Sequence, residues 1–198
     1  MKTKQRILQV SLELFNRLGE PNVTTVDISN EMEISPGNLY YHYRNKDDII
    51  EHLVATYERD LKSLLNAEAE LDGVIEHWLF LKLIIEKNDS FRFIFRDCDN
   101  LAGKYKQLDR KVSRLHDALH KAMLELVARL TNNQASHADV LAENMVCVLT
   151  RIPFFYERKS DQPIELAYAQ TAFHTMLALW SYLSTAEQTM LEELLIQY

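Results

Sequence analysis

Residues 24–43 read Thr24-Thr25-Val26-Asp27-Ile28-Ser29-Asn30-Glu31-Met32-Glu33-Ile34-Ser35-Pro36-Gly37-Asn38-Leu39-Tyr40-Tyr41-His42-Tyr43. Thr24 precedes a short segment whose apolar residues are Val26, Ile28 and Met32. Ser35 and Pro36 then supply a capping side chain and a proline at the first helical position, so a second short helix opens there. A tight turn at Met32–Ser35 joins the two. Two short amphipathic helices so joined form a helix-turn-helix, a motif whose second helix fits the major groove of DNA. The first turn of that helix presents Pro36, Gly37 and Asn38. A small residue at Gly37 permits close approach, and Asn38 can bond an adenine edge in two places. Leu39 and Tyr43 are expected to point back into the core. Tyr40, Tyr41 and His42 carry OH and NH groups toward phosphates, and Tyr41 can also touch a thymine methyl. Thr24 at the first N-cap and Lys46 at the next helix start are expected phosphate ligands. The plainer readings are a merely packed aromatic patch at 40–43 and a solvated lysine at 46; the turn signature favours DNA contact for both. Lys2, Lys4 and Arg6 add flexible positive charge.

Working outward, the apolar spacing is helical nearly everywhere. Ile7, Leu8, Ser11, Leu14, Phe15 and Leu18 share one face of a helix that Gly19 stops. Asn45 caps a long helix from Lys46 whose first turn holds Asp47 and Asp48, as the positive helix end favours. Its apolar positions are Ile49, Ile50, Leu53, Val54, Tyr57, Leu61, Leu64 and Leu65. Residues 74–87 are apolar almost all round, which predicts a helix in the middle of a bundle. Residues 91–97 read as a short aromatic helix. Tyr105, Leu108, Val112, Leu115, Leu119, Met123, Leu126 and Leu130 form one long stripe. Leu141, Met145, Val148, Leu149 and Ile152 form another, which Pro153 is expected to end. A third runs from Ile164 to Leu183, and Thr185 to Gln188 has capping-box spacing before a last helix. No alternating strand pattern appears. The reading is all-α: an N-terminal three-helix DNA reader at 1–45, then a larger helical bundle at 46–198.

The whole chain agrees. It has 198 residues, 47% apolar and 26% charged, with only 4 Gly and 4 Pro, too few for a turn-rich β-sandwich or barrel. The net charge is −7, from 22 basic and 29 acidic residues. Residues 1–50 hold six basic against seven acidic, so a nucleic-acid surface must come from placing a few charges, not from bulk charge. No apolar run approaches a membrane span, and no export core follows Lys2 and Lys4. Cys98 and Cys147 have neither metal nor disulfide spacing and read as small buried hydrophobes. A reducing cytoplasm is the expected compartment, with no membrane partner.

Three other constellations bear weighing. His116 and His120, at i and i+4 with Asp117 between, have the spacing of a zinc chelate. Asp117 is shorter than the glutamate a metalloprotease helix needs, and no third ligand follows at a known spacing. The reading is therefore no metal, no cofactor and no catalysis, with both histidines at the margin of the apolar stripe. Arg92 and Arg96 sit among aromatics; the plain reading is an exposed face with an Arg–Asp brace to Asp97 or Asp99, and the sharper one places an arginine against an effector. The expected pocket candidates are Trp78, Phe91, Arg92, Phe95, Arg96, Tyr105, Phe154 and His174, with an apolar lining and few polar groups. Ala167, Ala169, Ala172 and Ala178 are small enough to let helices approach closely, either within the chain or in a four-helix seam with a second subunit.

The residues Arg6-Ile7-Leu8, Leu14-Phe15, Gly19, Thr24, Asp27-Ile28, Ile34-Ser35, Gly37-Asn38-Leu39-Tyr40-Tyr41-His42-Tyr43 and Lys46 resemble the DNA-binding domain of the TetR family of bacterial transcription regulators. The turn departs from the family pattern, with Met32 and Glu33 where Ala and Gly are usual, and Pro36 replaces a commonly basic residue. A non-glycine residue at a left-handed turn position costs about 1 kcal/mol. The resemblance implies an all-helical homodimer. Three helices would bind a palindromic operator in double-stranded DNA, and six or seven more would hold a small-molecule effector and the partner. By the family's habit it implies a repressor. The helix from Lys46 would connect the bundle to the reader. An all-α enzyme, or an interaction protein docking through the motif, is the rival reading; no paired carboxylates, activated nucleophile, Gly-rich phosphate loop or full metal set supports it.

Overall fold

The computed structural model describes residues 3–67, 71–96, 101, 103, 105–157 and 163–197, with the side chains of 106–108 and 152–157 excepted. Among these residues there are ten α-helices and no strand. Two compact units divide the chain. The first takes residues 1–60 and 90–113, the second 61–89 and 114–198. The first unit thus contains part of the long helix after Lys46 and the stretch after Ser90, besides the residues assigned to the reader.

In the first unit α1 (Thr3–Leu18) buries Ile7, Ser11, Leu14 and Phe15. Gly19 ends it at φ 89, a value open to glycine, with its N–H on the Phe15 carbonyl. Leu18 was expected on the buried face but is 47% exposed. A 3₁₀ turn at Glu20–Asn22 leads to α2 (Thr25–Glu31), whose expected apolar Val26 is also exposed. The turn to α3 (Pro36–His42) puts Glu33 in the left-handed region at φ 56, closed by Glu33 N–H to Asn30 O and Ile34 N–H to Ser29 O, each 3.0 Å. Ser35 caps α3 by accepting from the Asn38 N–H at 3.2 Å, and Asn45 caps α4 (Lys46–Leu65) by accepting from Asp48 N–H at 2.8 Å. Ile49, Ile50, Leu53, Val54 and Tyr57 from α4 close the core with Ile28, Met32, Leu39 and Tyr43.

The short α6 (Arg92–Arg96) belongs to the same unit. Its Phe93 ring packs 5.5 Å from Phe15. Asn16 donates to Ser90 O at 2.9 Å and accepts from the Phe93 N–H at 3.1 Å. Arg96 donates to Asn16 O at 3.0 Å, near the end of α1, and shares the Phe15 carbonyl, at 2.8 Å, with the Gly19 N–H. Arg96→Ala is expected to cost about 1.5–3 kcal/mol, the range of hydrogen bonds to charged groups; urea denaturation of the full chain measures it.

The second unit holds most of α5 (Val74–Ser90) and of α7 (Lys106–Leu130), then α8 (Ala138–Glu157), α9 (Ile164–Leu177) and α10 (Thr185–Ile196). Leu115, Leu119, Met123 and Leu126 of α7 are buried as their spacing predicts, and Val127 is buried with them. Helix α5 is less central than its composition implies: Ile75, Leu79 and Leu83, four residues apart, form an exposed row. Pro153 does not end α8, which continues to Glu157. Helix α9 stops at Leu177, ahead of a 3₁₀ turn at Trp180–Tyr182, and the last capping box is Ser184 with Glu187, one residue earlier than read. Ala167, Ala169 and Ala172 are buried within the chain. Cys147 is exposed, not the buried hydrophobe expected; Cys98, Asp97 and Asp99 lie outside the described residues.

Candidate nucleic-acid interface

Helix α3 is two-faced. Leu39 and Tyr43 are 0% and 1% exposed, and at 100° per residue Gly37 and Tyr41 fall on the opposite side from Leu39. Tyr41 is 85% exposed and Tyr40 48%; Pro36, Gly37 and Asn38 are exposed as well, and His42 is half-buried with its ring 5.1 Å from Tyr41. The aromatic run therefore divides: Tyr43 packs, with its hydroxyl donating to Lys4 O at 3.2 Å, and Tyr41 faces outward. Burial, with Asp48 nearby, pushes the Tyr43 phenol up to about 12, so it stays a neutral donor.

Folding does not require glycine at 37. A Cβ there would meet only Ser35 Oγ, at 3.9 Å. Gly37→Ala should leave the fold intact and stabilise it by about 0.5–1 kcal/mol, since glycine is the poorer helix former. Its methyl would stand on the outward face, where overpacking a close contact costs about 1–3 kcal/mol. Thermal melting and DNA titration on one preparation should thus move in opposite directions.

Thr24 forms the predicted cap, but its donors are engaged. Its N–H and hydroxyl both donate to Asp27 Oδ2, at 2.7 and 2.6 Å, and its hydroxyl accepts from Asp27 N–H at 3.2 Å. The Thr24 hydroxyl first, then its N–H, hold the Asp27 carboxyl below its ordinary value, with help from the Lys46 charge. A lowered folded pKa means that this box contributes above the ordinary carboxylate value and is lost as pH falls through the lowered one. The neighbouring Thr25 escaped the sequence reading. Its hydroxyl lies 2.9 Å from Tyr40 Oη and ties α2 to α3 on the outward side.

Lys46 departs furthest from expectation. Its ammonium turns inward, 2.7 Å from the fully buried carboxylate of Glu20, and donates to Glu20 O and to Val23 O at 2.7 Å. Tyr105 donates to the same carboxylate at 3.1 Å. The side chain is only 16% exposed, so a phosphate would have to displace a buried ion pair to reach it. Arg44, two residues earlier, is exposed between α3 and α4, and Lys4 and Arg6 are exposed on α1; Lys2 lies outside the described residues.

The pocket candidates divide between the two units. Phe91 and half-buried Phe95 pack on Tyr57, at 5.4 and 5.6 Å. Arg96 is committed to α1, Tyr105 to Glu20, and Arg92 is half-buried in the same unit. In the second unit Trp78 is buried core and His174 is exposed, while the Phe154 side chain lies outside the described residues. A groove of about 450 Å³ in the first unit is lined by other residues, among them Leu14, Arg17, Asn30 and Glu31.

A helix-turn-helix with a packed inner face and an exposed polar-aromatic outer face defines a DNA-binding protein. Two family models match: "Bacterial regulatory proteins, tetR family" over residues 7–53, and TetR, "Bacterial transcriptional repressor", over residues 56–191. The chain belongs to the TetR family and is a DNA-binding transcriptional regulator. It is 29% identical over 147 residues to the HTH-type transcriptional regulator YvkB of Bacillus subtilis, covering 70% of this chain and 76% of that one. It is 23% identical over 124 residues to IcaR, the HTH-type negative transcriptional regulator of the biofilm operon icaADBC in Staphylococcus epidermidis, covering 59% and 57%. A TetR-family regulator from Marinobacter aquaeolei superposes with a TM-score of 0.82 at 26% identity, over 98% of this chain and 99% of that one. Among the described residues no helix is long and apolar enough to cross a membrane.

Proposed function

We propose that the protein is a homodimeric repressor that reads a palindromic operator with α3 of each copy and releases it when a small molecule binds. The observation that carries this reading is the outward face of α3, where Gly37, Asn38 and Tyr41 stand free over a fully buried Leu39. Asn38 and Tyr41 read bases; Pro36 and Gly37 let the helix end approach. Tyr40, Thr25 and His42 meet the phosphate backbone. Arg44, Lys4 and Arg6 supply the positive charge that the inward-turned Lys46 does not. One α3 covers only a half-site, so two copies are required, with half-sites about 34–36 Å or a multiple apart. Repression follows from the negative regulation named for IcaR and from the family description. An effector acts only through a difference in its affinity for the two states of the dimer.

The test is selection of genomic fragments by the purified full chain, followed by titration of the selected duplex at several salt concentrations. The expected result is an inverted repeat bound by two chains, with log affinity falling by about 0.9 per phosphate neutralised for each decade of salt. Binding by a single chain to a site without symmetry, or affinity insensitive to salt, overturns the reading.

A further inference from the structure

We propose that Tyr43 is a positioning residue of the DNA interface: it anchors the start of α1 to the end of α3, so that Lys4 and Arg44 flank the reading helix as a pair of phosphate ligands. This rests on the reading of α3 given above. Tyr43 is the C-cap of α3 and only 1% exposed. Its hydroxyl nonetheless crosses to α1 and donates to Lys4 O at 3.2 Å, 39 positions away. The Lys4 ammonium lies 5.3 Å from the centroid of the same ring. His52 of α4 meets that ring in a T-shaped contact at 5.2 Å. One side chain thus joins the end of α3 to both α1 and α4. A phenylalanine would fill the same core space and keep both ring contacts, so packing alone does not call for the hydroxyl.

The second cation follows from the backbone. Tyr43 is extended, at φ −139 and ψ 129, so its inward side chain sends that of Arg44 outward. The Arg44 N–H donates to Asp48 Oδ2 at 3.1 Å, and Asp48 Oδ1 lies 3.3 Å from His52 Nδ1, which ties this turn to α4. Lys4 and Arg44 are both exposed, and no carboxylate among the described residues pairs with either. Other cations of the unit are taken: Lys46 pairs with Glu20, and Arg17 of α1 with Glu31 at 3.7 Å. The seven residues of α3 span about 10 Å. Cations just past its end are therefore within reach of the phosphates that wall a major groove about 12 Å wide. An ammonium already held over a ring gives up less conformational freedom on taking a phosphate than one on a loose stem. That is what the Tyr43 anchor supplies.

The test is titration of the untagged full chain with its selected operator and with a mixed-sequence duplex, each at several salt concentrations. Lys4→Gln should lower the salt slope by about 0.9 per chain on both duplexes. Arg17→Gln, about 20 Å further along α1 and paired with Glu31, should leave it unchanged. Tyr43→Phe should weaken binding about twofold to tenfold per chain, the weight of one hydrogen bond. In the Lys4→Gln background the same change should alter binding by less than about twofold. Should Tyr43→Phe fold poorly, the parent chain decides: the Lys4 Cε protons must carry an upfield ring-current shift and move when duplex is added. A slope unmoved by Lys4→Gln, equal losses from Tyr43→Phe in both backgrounds, or unshifted Lys4 protons overturns the inference while operator preference stands. A parent chain that binds both duplexes equally overturns the reading of α3, and the inference with it.

Discussion

Lys46→Met is expected to destabilise the first unit by about 3–5 kcal/mol, the cost of taking this cation away from the buried Glu20 carboxylate. Glu20 is fully buried, and the Lys46 ammonium pairs with its carboxylate at 2.7 Å. The same substitution removes the donor from Glu20 O and Val23 O. The Tyr105 hydroxyl remains but carries no charge to offset the carboxylate. Replacing both members, as Glu20→Met with Lys46→Met, should recover most of the loss, because an apolar pair of similar volume removes the orphaned charge. The double-mutant cycle, run by urea denaturation, then gives a coupling energy well above that of an exposed ion pair. The opposite role for Lys46 has a distinct signature. A side chain bound to phosphate would leave stability within about 0.5 kcal/mol on substitution and lower the salt slope of DNA binding by about one.

Lys46 also shows where reading the sequence succeeds and where it stops. Ser35, Asn45 and Thr24 were legible as caps because each partner lies three residues away. Leu39 and Tyr43 were legible as core because helical periodicity alone assigns their face. Glu20 was not legible: a glutamate after the stop signal of Gly19 reads as solvated, and among its partners are Lys46 and Tyr105, the latter 85 positions away. Arg96 reads in the sequence as an exposed residue braced by an aspartate or, among its aromatic neighbours, as a pocket candidate, whereas the α1 carbonyls that hold it are 80 and 81 positions distant. The exposed row on α5 has the same origin. Composition reports that a helix is apolar all round, and only tertiary packing decides which apolar face finds a neighbour. Local chemistry thus reveals the reading head, while the polar network that braces it depends on contacts that periodicity cannot show.

Asn38→Ala with Tyr41→Ala is expected to abolish sequence preference while leaving the fold untouched. Tyr41 is 85% exposed, so truncating it removes little buried area. Asn38 enters the cap of α3 only through its backbone N–H, which alanine retains. Substitutions of this kind stay within about 0.5 kcal/mol in stability. Each base-edge contact contributes about 1–3 kcal/mol of discrimination. Losing both contacts from each of two subunits therefore brings operator affinity down toward the nonspecific level. The salt slope should change little, because the phosphate contacts proposed for Tyr40, Thr25 and Arg44 remain. The measurement is a pair of titrations, operator against scrambled duplex, at two salt concentrations. If the double variant still prefers its operator as the parent does, α3 does not read the bases, and specificity must come from another part of the chain or from the shape of the duplex.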